Sequence, residues 1–113
     1  ALYQRQGKLN LAAQAYEKAI ALGPDNADYK ASLALVYIAQ DRLDAAARLT
    51  EEALSQRPEY AFAYFLLGLI AEKRHEPDKA ILAYEAAIRY SGVDDDSLRK
   101  SAEAQLRLLR KEP

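Results

Sequence analysis

His75 is the only histidine in the chain, and cysteine is absent. A histidine can ligate a metal or act as a general base near neutral pH. A metal site needs further nitrogen or sulfur ligands, and the sequence offers no second histidine or cysteine to complete a set. His75 therefore reads as a surface residue of a turn. The paired carboxylates are Glu51 with Glu52 and the run Asp94, Asp95 and Asp96. An acid/base pair needs burial that drives two pKa values apart. Helix-surface and capping positions account for these groups more simply. Ser32 and Ser55 have no base placed beside them by any spacing, and there is no GxGxxG or GxxxxGK(S/T) phosphate loop. The expectation is a segment without catalytic residues, metal ligands or a cofactor.

The elements that carry these residues are helices. The 113 residues are enough for one domain, and half of them are apolar. Glycine and proline number four each. Ala, Leu, Glu, Arg, Lys and Gln dominate, all good helix formers. No alternating run of Val, Ile and Thr reads as a strand. Lys plus Arg is 16 against 17 for Asp plus Glu. So balanced a charge gives no electrostatic grip on nucleic acid or on an anionic membrane surface. The apolar runs are too short for a membrane span. Without cysteine, disulfides and thiol chemistry are excluded, while the compartment stays open.

The chain repeats itself every 34 residues. Pro24 and Pro58 share this spacing, as do Ala12, Ala46 and Ala80, and Ala19, Ala53 and Ala87. Tyr16 and Tyr84 lie two periods apart with Thr50 between them, and Tyr3 and Tyr37 are followed by Ala71. Each period holds two helices. The predicted helices are 1–6 with 9–22, 26–40 with 43–56, and 60–74 with 77–90. Short turns fall at Gly7-Lys8, Asp41-Arg42 and His75-Glu76. Pro77 suits a first helical position, whose N–H would lack a partner in any case. Pro24 and Pro58 stop the helices before them. Asp25 and Asp28 sit near the positive end of the next helix.

A 34-residue unit of two helices, with small residues at Ala34, Gly68, Ala46 and Ala80 and large ones at Leu33, Tyr37, Leu67 and Tyr84, resembles the tetratricopeptide repeat family. The resemblance covers nearly the whole chain. It departs from the pattern at Thr50, at Ala71 and at Gly92, where the closing proline is replaced. It implies an all-α fold of antiparallel helix hairpins stacked as a right-handed solenoid. In this reading residues 1–26 are a truncated first repeat, 27–60 a second, 61–94 a third, and 95–113 a capping helix. That last helix places Leu98, Ala102, Leu106 and Leu109 on one side, leaves Leu108 off it, and has Asp94 to Asp96 available as caps. Because Ala1 falls inside a helix pattern, further repeats or another segment are expected upstream.

The resemblance also implies a concave surface lined by the first helix of each unit, where family members hold extended or helical peptides. Carried over position by position, the candidate partner-binding residues are Leu35, Ile38, Phe62, Phe65, Leu66, Leu69, Lys73 and Arg99. The third unit is the informative one, because 61–73 is apolar almost all round, and such a helix wants cover on both sides. Two roles suit Phe62, Phe65, Leu66 and Leu69: packing within the chain, or a patch for an amphipathic partner helix. Members that clamp a carboxylate use Lys and Asn at positions occupied here by Ala31, Ser32, Leu35, Phe62 and Leu66, which cannot pair with one. The functional expectation is a scaffold binding a protein or peptide, with self-association as one form of it. A structural spacer or homo-oligomerisation segment is the alternative, and an RNA-binding helical repeat a more remote one.

Overall fold

The computed structural model describes residues 2–111, whose only regular elements are α-helices joined by turns. The helices are α1 (Leu2–Leu22), α2 (Ala27–Ala39), α3 (Leu43–Gln56), α4 (Ala61–Lys73), α5 (Pro77–Tyr90) and α6 (Asp96–Arg110). Expectations resting on Ala1, Glu112 and Pro113, and on the side chain of Tyr3, lie outside the described residues. The chain forms two compact units, one reaching to Arg57 and the other starting at Pro58.

In the first unit α2 packs between α1 and α3. Ala13, Leu33, Ala34, Tyr37, Ala46, Thr50 and Ala53 are buried. The start of α2 is fixed by Asn26, whose Oδ1 accepts the N–H of Tyr29 at 3.0 Å. The sequence pointed to Asp25 and Asp28 here; Asp28 lies in the first turn, but the capping side chain is Asn26. Lys30 is buried with its ammonium 3.6 Å from Glu52. Its aliphatic stem fills apolar space while its head reaches a charge.

In the second unit α5 packs between α4 and α6. The core joins Ala71, Ala80, Tyr84, Ala87, Ala102 and Leu106, flanked by Tyr64, Phe65, Ile81, Ile88 and Leu109. The inward side of α6 is the predicted one: Ala102 and Leu106 are buried, Leu98 and Leu109 half-buried, and Leu108 exposed. The aspartates ahead of it behave differently from expectation. Asp95 occupies the cap position but makes no capping bond to α6. Its Oδ2 turns back to accept the N–H of Gly92 at 2.9 Å.

The α2–α3 and α4–α5 turns are built alike. Arg42 N–H donates to Tyr37 O at 2.8 Å, and Glu76 N–H to Ala71 O at 2.9 Å. Each closure holds one residue in the left-handed region: Asp41 at φ 62° and His75 at φ 60°. Glycine is the usual occupant of such a position, and Asp and His are among the better substitutes.

Gly7 occupies the same place in the repeat as Asp41 and His75, yet no turn forms there. The expected helices 1–6 and 9–22 are one continuous helix, α1. A lone glycine costs a helix about 1 kcal/mol relative to alanine and does not by itself end one. At the other two turns the reversal is held by packing of the two helices it joins. Gly7 is exposed, and a Cβ there would meet nothing within 4 Å.

An L side chain at a left-handed position costs about 1–2 kcal/mol that glycine escapes, less what glycine loses in the unfolded chain. Asp41→Gly and His75→Gly should each leave stability unchanged or raise it by up to about 1 kcal/mol. Urea unfolding followed by circular dichroism measures this, and the same substitution at helical Gln14 should destabilise.

Candidate functional site

The candidate face on α4 depends on how that helix is seated. Gly68 lies against the ring of Tyr84, so closely that an added Cβ would come within 2.7 Å of Tyr84 Cδ1 and Cζ. Phe65 packs obliquely on the same ring, centroid to centroid 5.5 Å. The Tyr84 hydroxyl donates to Glu72 Oε2 at 2.5 Å, and Gln105 Nε2 donates to the same oxygen at 2.8 Å. One carboxylate near the end of α4 thus joins α4, α5 and α6. Tyr64 stacks on Tyr90 at 5.3 Å and donates to Pro58 O at 3.1 Å. These contacts fix the rotation of α4 about its axis, and with it the side chains left outward.

The eight candidate residues separate on this frame. Leu66 is 0 % exposed and Ile38 is 4 % exposed. Both belong to the core, and reading them as surface anchors is corrected by their burial. Phe62, Phe65 and Leu69 are half-buried. Phe65 is committed in part to Tyr84, while Phe62 keeps an oblique contact with Tyr60 at 6.2 Å. Lys73 is exposed at the end of α4. Leu35, on α2 of the first unit, is 42 % exposed. Arg99 is engaged locally: its guanidinium lies 2.9 Å from Asp96 Oδ1 and 3.4 Å from Ser91 Oγ and Gly92 O. It braces the α5–α6 turn.

The first unit solves the same seating problem with other residues. Ala34 stands in the register of Gly68, and Thr50 in that of Tyr84. Both are fully buried. The smaller Thr50 cannot reach a carboxylate and donates instead to Ala46 O at 2.7 Å. The tyrosine–carboxylate bond moves to Tyr37, which donates to Glu17 Oε2 at 2.7 Å while the Arg42 guanidinium lies 4.1 Å from its ring centre. Burial, followed by the hydrogen bond to Glu17, raises the Tyr37 pKa. Burial and the bond to Glu72 raise that of Tyr84 well above the tyrosine range.

His75 is exposed beside an open cleft of about 340 Å³ that Glu72, Glu76, Pro77 and Leu109 also line. Among the described residues no three His, Cys, Asp or Glu side chains are grouped to hold a metal. None of the helices there is long and apolar enough to cross a membrane.

Among the described residues, six helices joined by tight turns define a helical-hairpin repeat protein. The family model for the tetratricopeptide repeat matches residues 2–61 and 33–97, and the chain belongs to that family. It is 30% identical over 94 residues to the human protein O-mannosyl-transferase TMTC1, covering 83% of this chain and 11% of that protein. It is 30% identical over 106 residues to the small glutamine-rich tetratricopeptide repeat-containing protein 2 of Saccharomyces cerevisiae, covering 87% and 31%. The chain therefore spans a small part of each relative. Among solved structures it resembles the first repeat domain of Spaghetti (RPAP3) bound to the HSP90 peptide SRMEEVD, with TM-score 0.78, 21% identity and coverage of 96% of this chain and 82% of that one. It also resembles the Arabidopsis OM64 domain, with TM-score 0.81, 21% identity and coverage of 97% and 87%. These likenesses establish the fold.

Gly68 and Tyr84 act as one unit in this scheme. Gly68→Ala should cost about 1–3 kcal/mol, because the ring must move. In a Tyr84→Thr background, which reproduces the Ala34–Thr50 pair, the same change should be neutral or favourable by up to about 1 kcal/mol through helix propensity. A double-mutant cycle by urea unfolding measures the coupling, and additive effects would refute it.

Stability should also depend on alkaline pH. An unfolded tyrosine titrates near the ordinary 10.0, while folded Tyr84 holds its proton to higher pH. The unfolded state therefore loses the proton first. Stability is intact below pH 10 and falls as pH rises above it. Unfolding midpoints from pH 9 upward should show this slope, and Tyr84→Phe should flatten it.

Proposed function

We propose that this segment is a protein-interaction module that captures an apolar, helix-forming peptide on the outward side of α4. The observation that carries the reading is the make-up of α4. Only its last two residues, Glu72 and Lys73, are charged, and Tyr84, Phe65 and Leu66 settle its inward side. Phe62 and Leu69 nonetheless keep open surface one turn or more apart. Apolar side chains at such spacing are what an amphipathic partner helix packs against. Lys73 stands at the C-terminal end of this stripe, where it complements an acidic group on the partner. Leu35 gives the first unit a second, smaller apolar point.

The family resemblance supports the class of function. The RPAP3 domain is bound to an acidic peptide, SRMEEVD. By the family resemblance the carboxylate-clamp positions hold Ala31, Ser32, Leu35, Phe62 and Leu66 here, none of which pairs with a carboxylate, which supports a preference for apolar rather than acidic peptide chemistry.

A panel of synthetic peptides, comprising amphipathic helices and SRMEEVD, tests this by fluorescence anisotropy. The helices should bind, and SRMEEVD should bind weakly or not at all. Leu69→Asp should abolish binding with the circular dichroism spectrum retained. Leu66→Asp should unfold the second unit, since that side chain has no open surface. Preference for SRMEEVD, or binding indifferent to Leu69→Asp, would overturn the reading.

A further inference from the structure

The outward side of α4 has a charge pattern as well as an apolar stripe. Phe62 and Leu69 keep open surface, and exposed Lys73 ends the same helix. From residue 62 to residue 73 is about 16 Å, three turns of helix. α5 reverses on α4, and α6 reverses on α5, so α4 and α6 run the same way. Their finishing ends lie together, where Gln105 of α6 donates to Glu72 of α4. Arg107 of α6 holds the register of Lys73 and is also exposed. At this end Lys79 pairs with Glu76 and Arg110 with Glu85, whereas Lys73 and Arg107 form no ion pair among the described residues.

The starting end of the two helices is the opposite. Glu59, Asp94 and Asp96 are exposed there. Asp96 is taken by Arg99 at 2.9 Å and Lys100 at 3.2 Å, so Glu59 and Asp94 carry the charge. Tyr60 and Phe62 add two half-buried rings, 6.2 Å apart. Such rings attract cations to their faces. α4 itself begins without a capping side-chain bond and without an acidic residue in its first turn. The positive end of its dipole is therefore not offset by a side chain of its own first turn.

We propose that the helix held on α4 lies antiparallel to it, with an acidic N-terminal turn against Lys73 and Arg107 and a basic C-terminal turn toward Glu59, Asp94 and the two rings. This orientation rests on peptide capture by α4 and gives the partner a direction and a charge pattern. A helix is itself stabilised by acidic groups in its first turn and basic groups in its last. A parallel partner of that kind would set its acids beside Glu59 and Asp94 and its bases beside Lys73 and Arg107. An antiparallel partner turns each of these repulsions into an attraction, and it opposes the two helix dipoles. Glu103 stands in the register of Leu69, at mid-length, and favours neither direction.

Two synthetic helices of one composition, sharing one apolar stripe, test this against the whole chain. The first carries Glu in its first turn and Lys in its last, and the second the reverse. By fluorescence anisotropy at low salt the first should bind about tenfold more tightly, and added salt should narrow the gap. Lys73→Glu combined with Arg107→Glu should abolish or reverse the preference with the circular dichroism spectrum unchanged. A difference in the helicity of the peptides themselves could not produce that reversal. A nitroxide on the N-terminus of the first peptide should broaden the amide signals around Lys73 and spare those around Phe62. Equal binding of the two peptides, a preference untouched by the charge reversal, or broadening around Phe62 would overturn the orientation and leave capture by α4 standing. Failure of both peptides to bind would overturn capture as well. So would a dimer, seen by sedimentation equilibrium, that Leu69→Asp dissociates, since a second copy would then occupy the face.

Discussion

The contact between Tyr84 and the bare backbone of Gly68 is the constraint from which the rest of the second unit follows. A ring can lie there only because no Cβ intervenes. Once in place, it positions its hydroxyl at Glu72, and Glu72 in turn receives Gln105 from α6. A packing event between two helices thereby fixes a polar link among three. The carboxylate is satisfied without an arginine or lysine, by two donors that the core already orders. A half-satisfied carboxylate at this depth would cost more than it contributes. The ring also supports Phe65, so the side of α4 that stays outward is decided from below.

The first unit shows that the constraint lies in the fit of the pair and in neither residue alone. With Ala34 in place of glycine, a ring in the register of Tyr84 has no room, and Thr50 takes its position. The hydroxyl then bonds within its own helix, and the link between neighbouring helices passes to Tyr37 and Glu17. The second unit has Ala71 in the register of Tyr37, so each unit keeps one buried tyrosine joined to one carboxylate, reached from different helices. What the repeat preserves is filled volume and a satisfied hydroxyl. The identity of the residue at any one position is free to change.

This explains which features were legible in the sequence. The 34-residue spacing of Ala12, Ala46 and Ala80 marks places where helices come close, and close approach tolerates few residue types, so the periodicity survives. The inward side of α6 was readable because Leu98, Ala102, Leu106 and Leu109 stand out from a polar remainder. α4 offers no such contrast. Its helix is apolar all round, and a pattern without a polar side cannot say that Leu66 points inward while Leu69 keeps open surface. Ile38 was misassigned for the same reason, on a helix whose polar residues are sparse. The cap at α2 was missed because Asp25, Asn26 and Asp28 are all plausible acceptors, and only the backbone angle at Asn26 selects one.

The continuity of α1 through Gly7 carries the most physical information, because it separates local preference from what a turn needs. Gly7 is the residue best suited to a left-handed turn, and it stays helical; Asp41 and His75 are worse suited, and they turn. Local propensity differs in the direction opposite to the outcome. What distinguishes the three sites is the reward for reversing. At Asp41 and His75 the returning helix seals three side chains against a partner, burial worth well over the strain of one left-handed residue. At Gly7 no such contact rewards a reversal: the residue is exposed and a Cβ there would meet nothing within 4 Å. The turn is therefore a consequence of helix packing, and where that packing is absent the helix runs straight on.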